Sequence, residues 1–259
     1  MKKTLFVAAL LISLTVGKAS AQFLMFWDGD MRFGLSAGLS MPMASMPSFK
    51  CSAGWGEATM KMVDGSYQHN WLAPSFKLYS GMEKELSGDI AFGFQAWIGL
   101  SKNKWNVDFE NQSTKDVTTF KVNSSVLDVC EGLYLAYYLT DELSITAGAG
   151  ISEYMNFHGN ASSITCNSSG TQIASVDKIE SSSAPFSLGV GYMVNLGTTY
   201  NLSDAFFVGA NLMYQSSFFS TSSFDENDTF FMNSLGQGVY YSDAPVNSLQ
   251  LIATIGFRW

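Results

Sequence analysis

The stretch Leu249 to Trp259, at the carboxyl end, constrains this chain more than any other. Leu249, Leu251, Ala253, Ile255, Phe257 and Trp259 fall on one parity, and Gln250, Thr254, Gly256 and Arg258 fall on the other. Strand side chains point alternately to opposite faces, so this is a strand with one oily and one polar face. A buried last strand ending on a bare carboxylate suits a soluble core poorly. It suits the closing strand of a transmembrane barrel, whose end sits at the water interface.

The amino end predicts the compartment. Lys2 and Lys3, the apolar run Leu5 to Val16 and the small residues Ala19-Ser20-Ala21 follow the order of a secretory signal peptide. Residues 1–21 are therefore expected to be removed, and 22–259 to form one outer-membrane β-barrel domain. The apolar run is too short to anchor the chain, and no Cys follows the cleavage site to carry a lipid. Beyond it, no run approaches the ~20 apolar residues that a spanning helix needs. Without Lys2, Lys3 and Lys18 the chain keeps 11 of 14 basic residues against 22 acidic ones, a formal charge of −11. That balance argues against nucleic acid as a partner.

Charged residues at 14%, aromatic residues at 14% and 23 Gly are an unusual combination for a soluble enzyme. They fit a barrel with an oily outside, aromatic girdles and a lumen of small residues. Cys51, Cys130 and Cys166 are an odd number in an oxidising compartment, so at most one pair forms within the chain.

A repeat sets the architecture. Leu86-Ser87-Gly88-Asp89, Leu139-Thr140-Asp141 and Leu202-Ser203-Asp204 each lead into alternating apolar residues, and Asp beside Ser, Thr or Gly is turn chemistry. Each marks a tight hairpin, and the spacing between them leaves room for two strands of about ten residues and one long loop. Parity then places strands near 31–41 and 72–79, from Ile90 to Leu100, over 121–139, from Leu143 to Ser152, from Phe186 to Leu196, from Phe206 to Gln215, and over the final stretch. Pro42 to Asn70, Asn103 to Thr119, Asn160 to Ser183 and Ser220 to Val246 are left as external loops, although Trp105, Val107 and Phe109 suggest that the third strand continues past the membrane. The expectation is an all-β, eight-stranded antiparallel up-and-down transmembrane β-barrel; ten strands is the alternative, with the long first loop adding a hairpin. Glu131 falls on the oily parity of the fourth strand, so a bulge near Cys130 is expected to turn it inward.

The span Leu127-Asp-Val through Leu133-Tyr-Leu-Ala-Tyr-Tyr-Leu139, with the Thr140-Asp141-Glu142 turn and Ala147-Gly148-Ala149-Gly150, resembles the middle of the outer-membrane β-barrel domain family of Bacteroidota, a small porin-like barrel. Cys130-Glu131 departs from that family, where a Pro is usual. The terminal residues Ile255, Phe257 and Trp259 look like the assembly signal that the outer-membrane insertion machinery reads. The resemblance implies a fold, a bacterial outer-membrane location and dealings with membrane lipid, insertion machinery and periplasmic chaperones. It implies no shared catalytic residues.

Five charged residues share the lumen parity: Arg32, Lys77, Glu83, Asp128 and Arg258. They could line a selective channel. An eight-stranded barrel is only wide enough for side chains to fill, so a packed lumen of paired charges is the favoured expectation. Trp27, Trp71, Trp105, Tyr137, Tyr192, Phe206 and Trp259 near strand ends are expected as interfacial girdles. Trp55, Tyr67 and Trp71 are the alternative set, a sugar platform.

His69, and His158 with Ser162 and Ser163, raise hydrolase chemistry, but no acidic orienter stands at a meaningful spacing. Asp225-Glu226-Asn227-Asp228 lacks the Gly and the distant Glu of a Ca²⁺ loop. A Cys51–Cys166 disulfide would tie two non-adjacent loops across the mouth. The expected protein is non-enzymatic, without cofactor, metal or catalytic residue, and acts through its loops as a structural or binding element. A narrow passive pore is the alternative. A soluble lipocalin-type barrel is disfavoured because the oily face is the continuous one.

Overall fold

The computed structural model describes residues 29–43, 48–52, 60–179, 186–222, 231–232, 238–242 and 247–259. The signal peptide, Trp27, Trp55 and the acidic run Asp225, Glu226 and Asp228 lie outside these residues. Eight long strands form the barrel: β1 (Asp30–Pro42), β2 (Ala73–Ser87), β3 (Ile90–Asn111), β4 (Val117–Tyr138), β5 (Leu143–Cys166), β6 (Phe186–Asn201), β7 (Phe206–Ser222) and β8 (Ser248–Arg258). Each pairs antiparallel with the next, and β8 returns to β1, so the ring is closed.

The seam is in register from Arg32 opposite Arg258 to Pro42 opposite Ser248. The last residue belongs to it, because the Trp259 N–H donates to the Met31 carbonyl at 3.0 Å and the Met31 N–H donates back at 2.9 Å. The Trp259 ring stacks on Phe33 with centroids 5.2 Å apart.

The faces are distributed as alternation requires. Leu35, Phe76, Ile98, Leu133, Ile151, Leu196, Leu251 and Phe257 are exposed, while Arg32, Lys77, Gln95, Asp128 and Gln250 are buried inside. Large apolar side chains outside and charges within are the reverse of a soluble barrel. A closed ring of this kind pairs its wall backbone within itself, as a span through lipid requires, and the wall is that of a transmembrane β-barrel.

The tight turns are built by the residues that announced them. Gly88, at φ +51°, takes the left-handed region in the two-residue link between β2 and β3. The Thr140 hydroxyl accepts the N–H groups of Glu142 and Leu143, and the Ser203 hydroxyl accepts those of Ala205 and Phe206. The hydroxyl residue of the repeat thus holds its hairpin by a side-chain bond.

Four expectations are corrected. Asn103 to Thr119 is not a loop: β3 continues past the membrane, as Trp105, Val107 and Phe109 suggest, and stays paired with β4 from Lys102 opposite Ser125 to Glu110 opposite Val117. Asn160 to Ser183 is likewise strand in large part, since β5 runs to Cys166 and a strand Gln172–Ile179 pairs back on it. The polar composition of these segments hid an apolar inner face, with Val107, Phe109 and Ala161 all buried. The ten-strand alternative also fails. Met60–Met62 and Gln68–His69 pair on the outer part of β3, and Ser48–Ser52 pairs with Gly238–Ser242 in a separate three-stranded sheet, so the described residues of the first loop add no strand to the ring.

The fourth correction concerns Glu131. Pairing runs unbroken past it on both sides, with Ala96 on β3 and Ile151 on β5, and no bulge occurs at Cys130. Glu131 therefore keeps the outward parity of Leu133 and Leu135. Glu153 shares that face, opposite Val129. The irregularity in β4 lies between Val122 and Ser124, above the apolar belt. Lipid-facing carboxylates cost less than cations at mid-depth, so the wall tolerates Glu131. Glu131→Leu is expected to stabilise the folded barrel by about 1 kcal/mol, read as a higher midpoint of urea unfolding from lipid vesicles; an unchanged or lower midpoint would contradict the outward placement.

Candidate functional site

The lumen is the place where alternation concentrates chemistry, because eight parallel columns of side chains converge on one narrow axis. At the end of the tight turns, Arg32 donates to Glu83 at 3.0 Å and to the Tyr138 hydroxyl at 2.9 Å. Tyr134 donates to the other Glu83 oxygen at 3.0 Å, and Tyr138 donates to Glu83 as well. The Arg32 guanidinium also lies over the Phe207 ring, 5.9 Å from its centre. Just outside, Arg258 pairs with Asp30 at 2.9 Å. Arg32 faces Arg258, and Asp30 faces Glu83, directly across their strands. Like charges so placed repel. The two diagonal ion pairs offset that repulsion.

A second polar group lies further along. Lys77 on β2 pairs with Asp128 on β4, and both are buried. Gln215 donates to Asp128 at 3.0 Å and accepts from Ser248 at 3.0 Å and from Gln250 at 2.5 Å. Gly99 makes room for this pair: a Cβ there would meet Asp128 Oδ1 at 2.6 Å and Lys77 Cγ at 2.8 Å. The expected glycine face is thus the complement of bulky lumen neighbours.

Between these groups the lumen turns apolar. Trp97, Cys130, Met193, Met213 and Ile252 form a buried cluster, with Tyr79 packed against it. Tyr79 lies between Glu83 and Lys77 on β2, and its ring is 4.4 Å from that of Trp97, directly across on β3. The Trp97 indole donates to Gln95 at 3.4 Å, and Gln95 donates to Asn195 at 2.7 Å. Trp97, Met193, Met213 and Ile252 were absent from the sequence-based site. Their signal was there: each is a large apolar side chain on the polar parity of its strand.

Outside the bilayer, β3, β4 and β5 continue as a folded extension. From Leu100 to Asn111, β3 covers roughly 35 Å of strand at about 3.3 Å per residue. Phe109 and Phe120 meet edge to face at 6.1 Å, and Thr118 and Thr165 share a hydrogen bond at 3.0 Å inside it. Trp105 belongs here and not to a girdle. Its ring lies 6.5 Å from Tyr67, which in turn lies 6.0 Å from His69. Burial pushes the Tyr67 phenol up to about 12. Trp71 is exposed, and Trp55, the third member of the sugar-platform set, lies outside the described residues.

Candidate catalytic groups are not brought together. His69 faces the Asn70 carbonyl at 3.1 Å. His158 and Ser162 pair with Ser124 and Lys121, three residues apart on β4, which is about 10 Å. Among the described residues no cluster of His, Cys, Asp or Glu has the arrangement to hold a metal. Cys130 and Cys166 are free thiols, so the Cys51–Cys166 bridge is not formed.

No family model and no curated protein matches the chain. Among solved structures, the outer membrane protein OprG from Pseudomonas aeruginosa is similar, with 12% identity over 89% of this chain and 96% of that one, and a TM-score of 0.52. Ail of Yersinia pestis, with 12% identity over 90% and 100%, has a TM-score of 0.32. Neisserial surface protein A, with 12% identity over 89% and 96%, has a TM-score of 0.29. The fold shared with OprG, the closed ring and the outward apolar belt together define the class, an up-and-down barrel of the bacterial outer membrane.

Removing one partner of a buried ion pair leaves an uncompensated charge. Arg32→Ala is expected to destabilise the barrel by about 3–5 kcal/mol, and Arg32→Ala with Glu83→Ala to recover much of that loss. Urea unfolding of the single and double variants from vesicles checks this; a double variant as weak as the single would contradict the pairing.

Proposed function

We propose that this protein is a non-enzymatic component of the outer membrane whose work is done by its extracellular strand extension, around a lumen that passes no current. The observation that supports this is the apolar layer of Trp97, Met193, Met213 and Ile252, set between two buried ion pairs. A narrow aqueous path needs wettable walls, and a hydrophobic constriction resists filling with water. The reading requires no cofactor and no metal. It includes a Bacteroidota-type origin, supported by the Leu127–Leu139 motif and its turn. It also includes delivery by periplasmic chaperones to the outer-membrane insertion machinery, with Ile255, Phe257 and Trp259 as the signal. All three point outward and are exposed on the closing strand.

Planar-bilayer recording on the refolded protein, with refolding followed by heat-modifiable gel mobility, tests the silent lumen. The wild type is expected to insert without conductance steps, and Met193→Ala/Met213→Ala/Ile252→Ala to give measurable leak. Stable wild-type steps whose ion selectivity changes on Arg258→Ala would overturn the proposal in favour of a passive pore.

A further inference from the structure

We propose that Lys102, Lys104 and Lys121 form a binding patch for the phosphate groups of anionic lipids in the outer leaflet. The patch begins where the lipid-facing belt stops. Outward apolar residues on β3 run from Ile90 to Leu100 and on β4 from Tyr137 to Leu127, and Leu100 lies opposite Leu127. That is the length a tilted strand needs to cross the hydrocarbon core. The next outward positions on β3 are Lys102 and Lys104. Lys121 is the diagonal neighbour of Lys104, because Lys104 opposes Asn123 and Asn106 opposes Lys121. Successive positions on one face are about 7 Å apart, and so are diagonal neighbours, so three ammonium groups share one small area at headgroup height.

All three lysines are exposed, and none forms an ion pair with a described residue. Of the outward carboxylates further along β3, Asp108 stands diagonally across from Lys121 and accepts the Thr119 hydroxyl at 2.6 Å without ion-pairing to it, and Glu110 is paired with Lys115 at 2.9 Å. Lys104 stands about 7 Å from each of the other two cations along the face, and like charges at that spacing repel. Their clustering in a chain that is strongly acidic calls for an external anion. The backbone under Lys104 is tied down, since its carbonyl accepts the Asn70 N–H at 2.9 Å. Long basic side chains set at the edge of an apolar belt reach for lipid phosphate. The inference rests on the orientation with tight turns in the periplasm, and it is independent of whether the lumen conducts.

The test is native mass spectrometry of the full mature protein in neutral detergent, titrated with a bisphosphorylated outer-leaflet glycolipid, its dephosphorylated form or inorganic phosphate. The bisphosphorylated lipid is expected to bind more tightly than the dephosphorylated one. Lys102→Gln/Lys104→Gln/Lys121→Gln should lose on the order of 100-fold in affinity at low salt, while Lys61→Gln/Lys115→Gln should lose little. Heat-modifiable mobility confirms that each variant is folded. Equal binding of the dephosphorylated lipid would overturn the proposal. So would equal losses in the two sets of variants, or equal saturation by inorganic phosphate.

Discussion

Everything in this molecule depends on the requirement that no backbone N–H or carbonyl be left open to hydrocarbon. A sheet meets that requirement only by closing on itself. Closure falls to β1 and β8, which are far apart in sequence, and their pairing runs unbroken to the last residue. Once the ring closes, alternation assigns each remaining side chain to lipid or lumen. The seam also brings Arg32 and Arg258 face to face, which is why Glu83 and Asp30 stand on their diagonals. The charge quartet is a consequence of closing the ring at that register.

The lumen shows how a small barrel fills its own interior. Eight strands leave too little width for a channel unless their inward residues are small. Glycines at 93 and 99 provide width, and Tyr134, Lys77 and Asp128 take it up again. Polar and apolar layers alternate along the axis and are bonded to one another, Trp97 donating to Gln95 and Gln215 donating to the Cys130 sulfur. Carboxylates and ammonium groups are paired, and the sulfur and indole groups pack against one another. Buried ion pairs of this kind contribute less to net stability than to specifying one arrangement, since removing either partner strands a charge.

Most of the membrane-embedded half was legible in the sequence because lipid enforces strict period-2 alternation there. The hydroxyl-Asp repeat located three turns for a similar reason, since a tight hairpin needs a side chain to hold it. Legibility failed where lipid no longer dictates the pattern. Outside the bilayer both faces of β3, β4 and β5 carry polar residues, so Asn103 to Glu110 and Ser162 to Cys166 read as loop although their backbones are paired. Glu131 was misjudged because the cost of one lipid-facing carboxylate is smaller than the cost of breaking two ladders to hide it. The apolar lumen layer went unnoticed because Ile252 and Met213 sit among residues whose parity was read only for its polar members.

The unbroken passage of β3, β4 and β5 from the bilayer into the exterior has a mechanical consequence. A pull on the outer tip at residues 112–116 acts nearly along the strand axes. It draws β3 and β4 together against their outer neighbours, so the hydrogen bonds from β3 to β2 and from β4 to β5 carry the load in shear, and the deeper part of those rows is anchored in the membrane. A flexible loop at the same place would absorb such a load by extending. In this barrel the exterior is stiffly coupled to the wall, so what the tip feels the membrane-embedded strands feel too.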